Sequence, residues 1–225
     1  MKKQFKFFPG LTTTPGSDWK EKIKEIDQIG LKEVALFPTY LKEDRKEFYE
    51  LLEKSPLESA PLVHLRGDME RWEIDLFLKR FKTEKFNIHY NEAEFLENNP
   101  DLKEMTYVEN GVIGNEFYQL LDNCAGLCLD ATHYYNEGVI LNRSYYNNFD
   151  EVMKKYQIGF CHVGAIKDKP NSKGGFEGHY LDNLSEFDFL KKLKPYLAQD
   201  LAIELENSFE KQVGMADYLN KLLND

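Results

Sequence analysis

Apolar residues along this chain gather in short runs, and most runs close on a histidine or an acid. They read Pro61-Leu62-Val63-His64, Phe86-Asn87-Ile88-His89, Thr106-Tyr107-Val108-Glu109, Leu127-Cys128-Leu129-Asp130, Gly159-Phe160-Cys161-His162 and Leu201-Ala202-Ile203-Glu204. Runs ending near Phe8 and Phe37 bring the set to eight. Short apolar runs bounded by polar turns are what strands covered on both faces look like. The stretches between them carry helical spacing instead. Ser17 stands as a cap before Trp19, Ile23 and Ile26, with Gly30 as the stop; the spacing recurs at Trp72, Leu76 and Lys79-Arg80, at Phe117, Leu120 and Leu121, at Phe187, Leu190 and Leu193, and at Val213, Tyr218, Leu219 and Leu222.

Strands alternating with helices predict a parallel sheet with helical crossovers. An open doubly wound sheet would place a glycine-rich phosphate loop after its first strand. The segment Pro9-Gly10-Leu11-Thr12-Thr13-Thr14-Pro15-Gly16 contains neither G-x-G-x-x-G nor a G-K-[ST] ending. The expected fold is therefore α/β, a single (β/α)₈ TIM barrel spanning residues 1–225, with Asn87 and His89, like Tyr107 and Glu109, sharing parity toward the barrel axis. No linker, low-complexity tract or short repeat divides the chain.

Composition narrows the class. With 42% hydrophobic and 14% aromatic residues the chain can bury a sizeable core, and no apolar run approaches the roughly 20 residues of a membrane span. After Met1-Lys2-Lys3-Gln4-Phe5 comes Pro9-Gly10 and not a continuous apolar signal region. Cys124, Cys128 and Cys161 are odd in number and lack C-x-x-C spacing, which fits free thiols in a cytoplasmic protein with no membrane partner. A net charge of −10 repels nucleic acid, so a phosphate substrate must be attracted locally, by metal ions or a few lysines and arginines.

One histidine closing an apolar run is ordinarily a hydrogen-bonded core or capping residue. Six ligand-type residues in series point to a metal site at a barrel mouth. Imidazole and carboxylate donors together suit zinc, manganese or iron. Three local pairings sharpen the pattern: Asp130-Ala131-Thr132-His133, Glu177-Gly178-His179 and Glu109-Asn110.

With His64, His89, His162 and Glu204 these pairings resemble, in strand order over the whole chain, the xylose isomerase-like TIM-barrel superfamily, and especially its endonuclease IV branch. The resemblance implies that His64, His89 and Glu109 hold one divalent ion, that Glu109 bridges to a second held by Asp130, His162 and Glu204, and that Glu177, His179 and His133 hold a third. Lys167 resembles the lysine of the segment after the seventh strand. The chain departs from the nuclease pattern in carrying Glu177 in place of aspartate and Ala165 in place of an acid, and its connections between ligands are short. Extended DNA is therefore not the expected partner; a small phosphorylated or sugar substrate is. The resemblance implies a metal-dependent phosphoesterase-like hydrolase acting on a nucleotide or sugar phosphate, with Glu109 and Glu204 as catalytic carboxylates. The alternative is a sugar or sugar-phosphate isomerase or epimerase in which Glu109, Asp130, His162 and Glu204 hold a single metal, His133 binds substrate, and the two glutamates exchange protons at carbon. Glu206 shares parity with Glu204 and competes with it as the last ligand.

The remaining polar residues divide between two readings each. Arg66, with Asp68 and Arg71, could meet a phosphate, although such clusters at helix starts more often form solvated caps. Tyr134, Tyr135, Tyr145 and Tyr146 either stack on substrate or pack the barrel mouth. Lys167, Lys169 and Lys173, set among Pro170, Gly174 and Gly175, read as a mobile lid or as surface lysines.

Overall fold

The computed structural model describes residues 4–224. Eight parallel strands close into a barrel: β1 (Lys6–Thr12), β2 (Ala35–Phe37), β3 (Leu62–His64), β4 (Lys85–His89), β5 (Thr106–Glu109), β6 (Gly126–Asp130), β7 (Ile158–Val163) and β10 (Asp200–Ile203), with β10 pairing back onto β1. A two-stranded antiparallel hairpin, β8 (Ala165–Ile166) and β9 (Glu177–Gly178), stands outside the barrel. Helices α1 (Trp19–Ile29), α2 (Arg45–Lys54), α3 (Arg71–Lys79), α4 (Ala93–Asn98), α5 (Asn115–Leu121), α6 (Ala131–Tyr134), α7 (Phe149–Lys155), α8 (Leu190–Leu193) and α9 (Phe209–Asn224) fill the connections. Among the described residues no helix is long and apolar enough to cross a membrane.

Two cores result. Side chains on the outer strand faces, among them Leu36, Val63, Phe86, Ile88, Val108, Leu129, Cys161 and Ile203, pack against the helices. Inward-facing Phe8, Phe37, Leu62, Tyr107, Cys128, Phe160 and Ala202 plug the barrel and form the floor on which the polar site rests. Gly159 makes that plug possible. A Cβ there would lie 2.1 Å from the Tyr107 ring, so only glycine lets the ring occupy the lumen.

β1 runs further than its pattern suggests. Instead of breaking near Phe8 it continues through Pro9 and Gly10 to Thr12, because Gly10 slips past β10, where a Cβ would lie 2.0 Å from the Ile203 carbonyl oxygen, and its amide donates to Gln212 Oε1 at 2.7 Å. Gln212, fully buried on α9, in turn donates to the carbonyls of Gly10, Leu205 and Asn207 at 3.1, 3.0 and 2.9 Å. The last helix thereby seals the seam where the barrel closes.

Other local expectations shift. The cap of α1 is Asp18, whose carboxylate accepts the Glu21 amide at 3.0 Å, and Ser17 instead donates to the Thr12 carbonyl. Gly30 ends that helix at φ 65°, in the left-handed region. On α3 the buried positions are Glu73, Ile74 and Phe77, so the apolar stripe is rotated away from Trp72, which is 45% exposed.

Candidate metal centre

The barrel's carboxyl-end rim gathers the ligand-type residues because each sits at or just past the end of its strand. His64, His89, Glu109, Asp130, His133, Glu177, His179 and Glu204 all line one cavity of about 620 Å³. His162, the ninth, lies beneath them, 1% exposed.

Glu109 is the hub. Its Oε2 lies 3.2 Å from His64 Nε2 and 3.4 Å from His162 Nδ1, and its Oε1 lies 3.3 Å from His89 Nε2. His64 Nε2 and His89 Nε2 are 3.3 Å apart, and His162 Nδ1 is 3.4 Å from Glu204 Oε2. Two donors each about 2.0–2.1 Å from one tetrahedral ion stand about 3.4 Å apart. The donor spacing therefore matches the edges of a coordination shell. Donor atoms of His64, His89 and Glu109 lie within 4.8 Å of one another, and so do those of Asp130, His162 and Glu204.

Hydrogen bonding points the same way. The carbonyl of Leu65 can only accept, so His64 Nδ1, 2.7 Å away, carries the proton and leaves Nε2 free as a ligand. Asn87 Nδ2 donates to Glu109 Oε2 at 2.6 Å and orients the hub carboxylate. Both ring nitrogens of His162 are buried without a hydrogen-bond partner. Buried polar atoms are rarely left this way. An orphaned imidazole facing two carboxylates is the arrangement that a cation would satisfy, and the donor set fits a divalent ion.

The charges are strongly coupled. Burial would raise the Glu109 carboxyl, but the charges of His162 and His89 outweigh it and hold it well below the usual carboxylate range. His89 is pushed up to about 9, chiefly by the Glu109 charge. Burial, reinforced by Glu204 and Glu109, lifts Asp130 to about 7. Burial also pushes the Cys128 thiol up to about 12 in the metal-free chain, and its sulfur forms a third donor group with Glu109 and His162, all within 4.8 Å of one another.

The outer group is looser. His133 Nδ1 and Glu177 Oε2 meet at 3.0 Å, and His133 rises to about 9 as the Glu177 hydrogen bond and nearby carboxylates overcome the opposing effect of burial. The hairpin brings Glu177 to this place. His179 lines the same cavity, held by its own carbonyl accepting the Glu206 amide at 2.6 Å, but is in neither of the tight donor groups.

Several sequence candidates lie elsewhere. Arg66 is engaged by Asp68, at 2.7 and 2.8 Å, and by the Thr39 carbonyl, and does not line the cavity. Lys167 is paired with Asp182 and Glu186 at 2.8 and 2.9 Å, also off the cavity. Glu206 accepts from Thr14 Oγ1 at 2.5 Å and pairs with Lys22 at 3.1 Å, which leaves Glu204 as the glutamate facing His162. Tyr146 packs edge-on to Phe149, Tyr134 on the same ring, Tyr135 on Phe189 and Tyr145 on Tyr146, and none of the four lines the cavity, so the tyrosines read as a stacking wall or as packing serve as packing. Tyr40 and Tyr90 line the cavity instead. In the sequence Asn87 and Asn110 are marked only by parity and by adjacency to Glu109, and neither has a positioning role there. Asn110 exchanges hydrogen bonds with the Asp130 backbone, 2.7 Å to its amide and 3.1 Å to its carbonyl, and so fixes the end of β6. Asn87's parity with His89 was its one available signal.

No protein-family model matches the sequence, and no curated protein matches it. Solved structures do. A xylose isomerase domain protein from Planctomyces limnophilus superposes with TM-score 0.53 at 13% identity over 99% of this chain and 98% of its own. A truncated 3-deoxy-D-arabino-heptulosonate 7-phosphate synthase from Thermotoga maritima gives TM-score 0.53 at 11% identity over 98% and 87%. An N-acetylneuraminate lyase from Mycoplasma synoviae gives 0.52 at 14% over 96% and 78%. Identities this low speak to fold alone, and with the closed eight-stranded parallel sheet they establish that this chain is a TIM barrel.

Proposed function

We propose that this protein is a divalent-metal-dependent phosphoesterase-like hydrolase acting on a small nucleotide or sugar phosphate. The observation that carries this reading is the pair of donor groups flanking His162 and the Glu109 hub, His64/His89/Glu109 and Asp130/His162/Glu204, with His133 and Glu177 beyond them. A one-metal isomerase has no use for so many ligands. Ions held there would supply Lewis-acid polarisation of the phosphoryl group and a water of lowered pKa. Glu204, on the cavity wall and 3.4 Å from His162, would accept a proton from the attacking water. Glu109 is kept from turning away by Asn87. A cavity of about 620 Å³ suits a small molecule.

Isotope tracing tests the proposal directly. Protein purified without chelator should carry about two ions per chain or more, and with zinc or manganese should place solvent oxygen in the phosphate it releases. Glu204→Gln should abolish release. Incorporation of solvent deuterium into a ketose, with no ester cleavage under any metal tried, would establish the isomerase alternative instead.

A further inference from the structure

We infer that Lys173, at the tip of the β8–β9 hairpin, is the cation that captures an anionic phosphoryl or carboxylate group of the substrate. The inference rests on the reading of the cavity as a site for a small anionic ester. Four carboxylates, Glu109, Asp130, Glu177 and Glu204, line that cavity, and the whole chain carries a net charge of −10. An anion entering such a cavity meets repulsion unless local cations offset it. Among the cavity-lining residues Lys173 is the sole lysine or arginine.

Other lysines and arginines toward the mouth are already engaged. Arg66 is tied to Asp68, Arg45 to Glu73, Lys22 to Glu206, and Lys167 to Asp182 and Glu186. No ion pair involving Lys173 is formed among the described residues. Its backbone, by contrast, is held firmly. Asn171 Oδ1 accepts the amides of Lys173 and Gly175 at 2.9 and 3.1 Å, the Gly174 amide donates to the Asn171 carbonyl at 2.9 Å, and Gly174 turns the chain at φ 83°. Asn136, fully buried, accepts the Phe176 amide at 2.7 Å and pins the turn to the barrel. The hairpin thus carries Glu177 on β9 and, at its tip, an ammonium with no close ion pair, both lining the same cavity. A lysine with a fixed origin, near enough to act on the Glu177 charge but with no close ion pair among the described residues, is available to a ligand.

Inorganic phosphate is the probe, measured by equilibrium dialysis on the protein as purified and again after chelation, with metal content determined for each sample. Lys173→Gln should weaken phosphate binding about five- to twentyfold, Lys173→Arg should restore most of it, and metal content should not change. Lys169→Gln removes the same charge from the same loop without touching the cavity, and should leave binding as in the wild type. Equal binding by the Lys173→Gln and Lys169→Gln proteins, or no binding by the wild type at about 10 mM phosphate, would overturn the inference. Loss of metal is read separately, so failure of the metal centre and failure of Lys173 are told apart.

Discussion

Asn87 offers the sharpest test of how the centre is built. Its Nδ2 donates to Glu109 Oε2 at 2.6 Å from a position 1% exposed, and that same oxygen faces His64 and His162 at 3.2 and 3.4 Å. Asn87→Leu keeps the volume and removes the donor. A hydrogen bond to a charged group contributes about 1.5–3 kcal/mol, and His64 and His162 still compensate part of the carboxylate charge in the variant, so the lower half of that range is expected. At about 1.4 kcal/mol per decade this is a tenfold or somewhat greater loss in metal affinity, within the range for removal of a residue that orients a ligand. Competition for zinc against a chromophoric chelator reads the affinity, and thermal unfolding in excess chelator reads any loss of fold. The expected result is weaker zinc binding with a near-normal metal-free melting temperature. Unchanged zinc affinity in a normally folded Asn87→Leu protein would show that the carboxylate is positioned by its histidine neighbours alone.

Other parts of the molecule yield independent expectations. Gly159→Ala drives a methyl into the Tyr107 ring at 2.1 Å and should destabilise by about 1–3 kcal/mol in urea titration, with Gly159→Ala/Tyr107→Leu recovering part of the loss. Gln212→Leu strands the Gly10 amide and three carbonyls, and should cost about 3 kcal/mol or more by the same assay. His89 and His133 are raised to about 9 in the folded metal-free chain, so at neutral pH they hold protons that a metal must displace. Zinc uptake should release protons, visible as a dependence of calorimetric heat on the buffer's ionisation enthalpy, and affinity should rise as pH climbs from about 6.5 to 9. Over that window the metal-free protein should lose stability, since a histidine raised by folding stabilises fully below its unfolded pKa and ceases to do so above its folded one. A pH-independent zinc affinity would refute the assignment.

Much of the architecture lay open in the chain itself. Short apolar runs alternating with helical spacing dictate a parallel sheet, since only buried two-faced strands tolerate such runs, and the histidine or acid that closes six of the eight runs is carried to one rim by the common direction of the strands. Local pattern could not say which polar groups would find each other first. Arg66 and Lys167 were eligible for a phosphate until Asp68, Asp182 and Glu186 arrived from other segments, and Glu206 matched Glu204 in parity until Lys22 and Thr14 claimed it. The rotation of α3 that exposes Trp72 and the passage of β1 beyond Pro9 follow from fit against neighbouring elements. So does the role of Asn87, an ordinary strand residue until β5 sets Glu109 beside it. Periodicity decides which face of an element is buried, a matter of nearest neighbours in sequence. Pairing among charges and hydrogen-bonding groups is settled by distance in space, and only closure of the barrel brings residues from opposite ends of the chain within reach of one another.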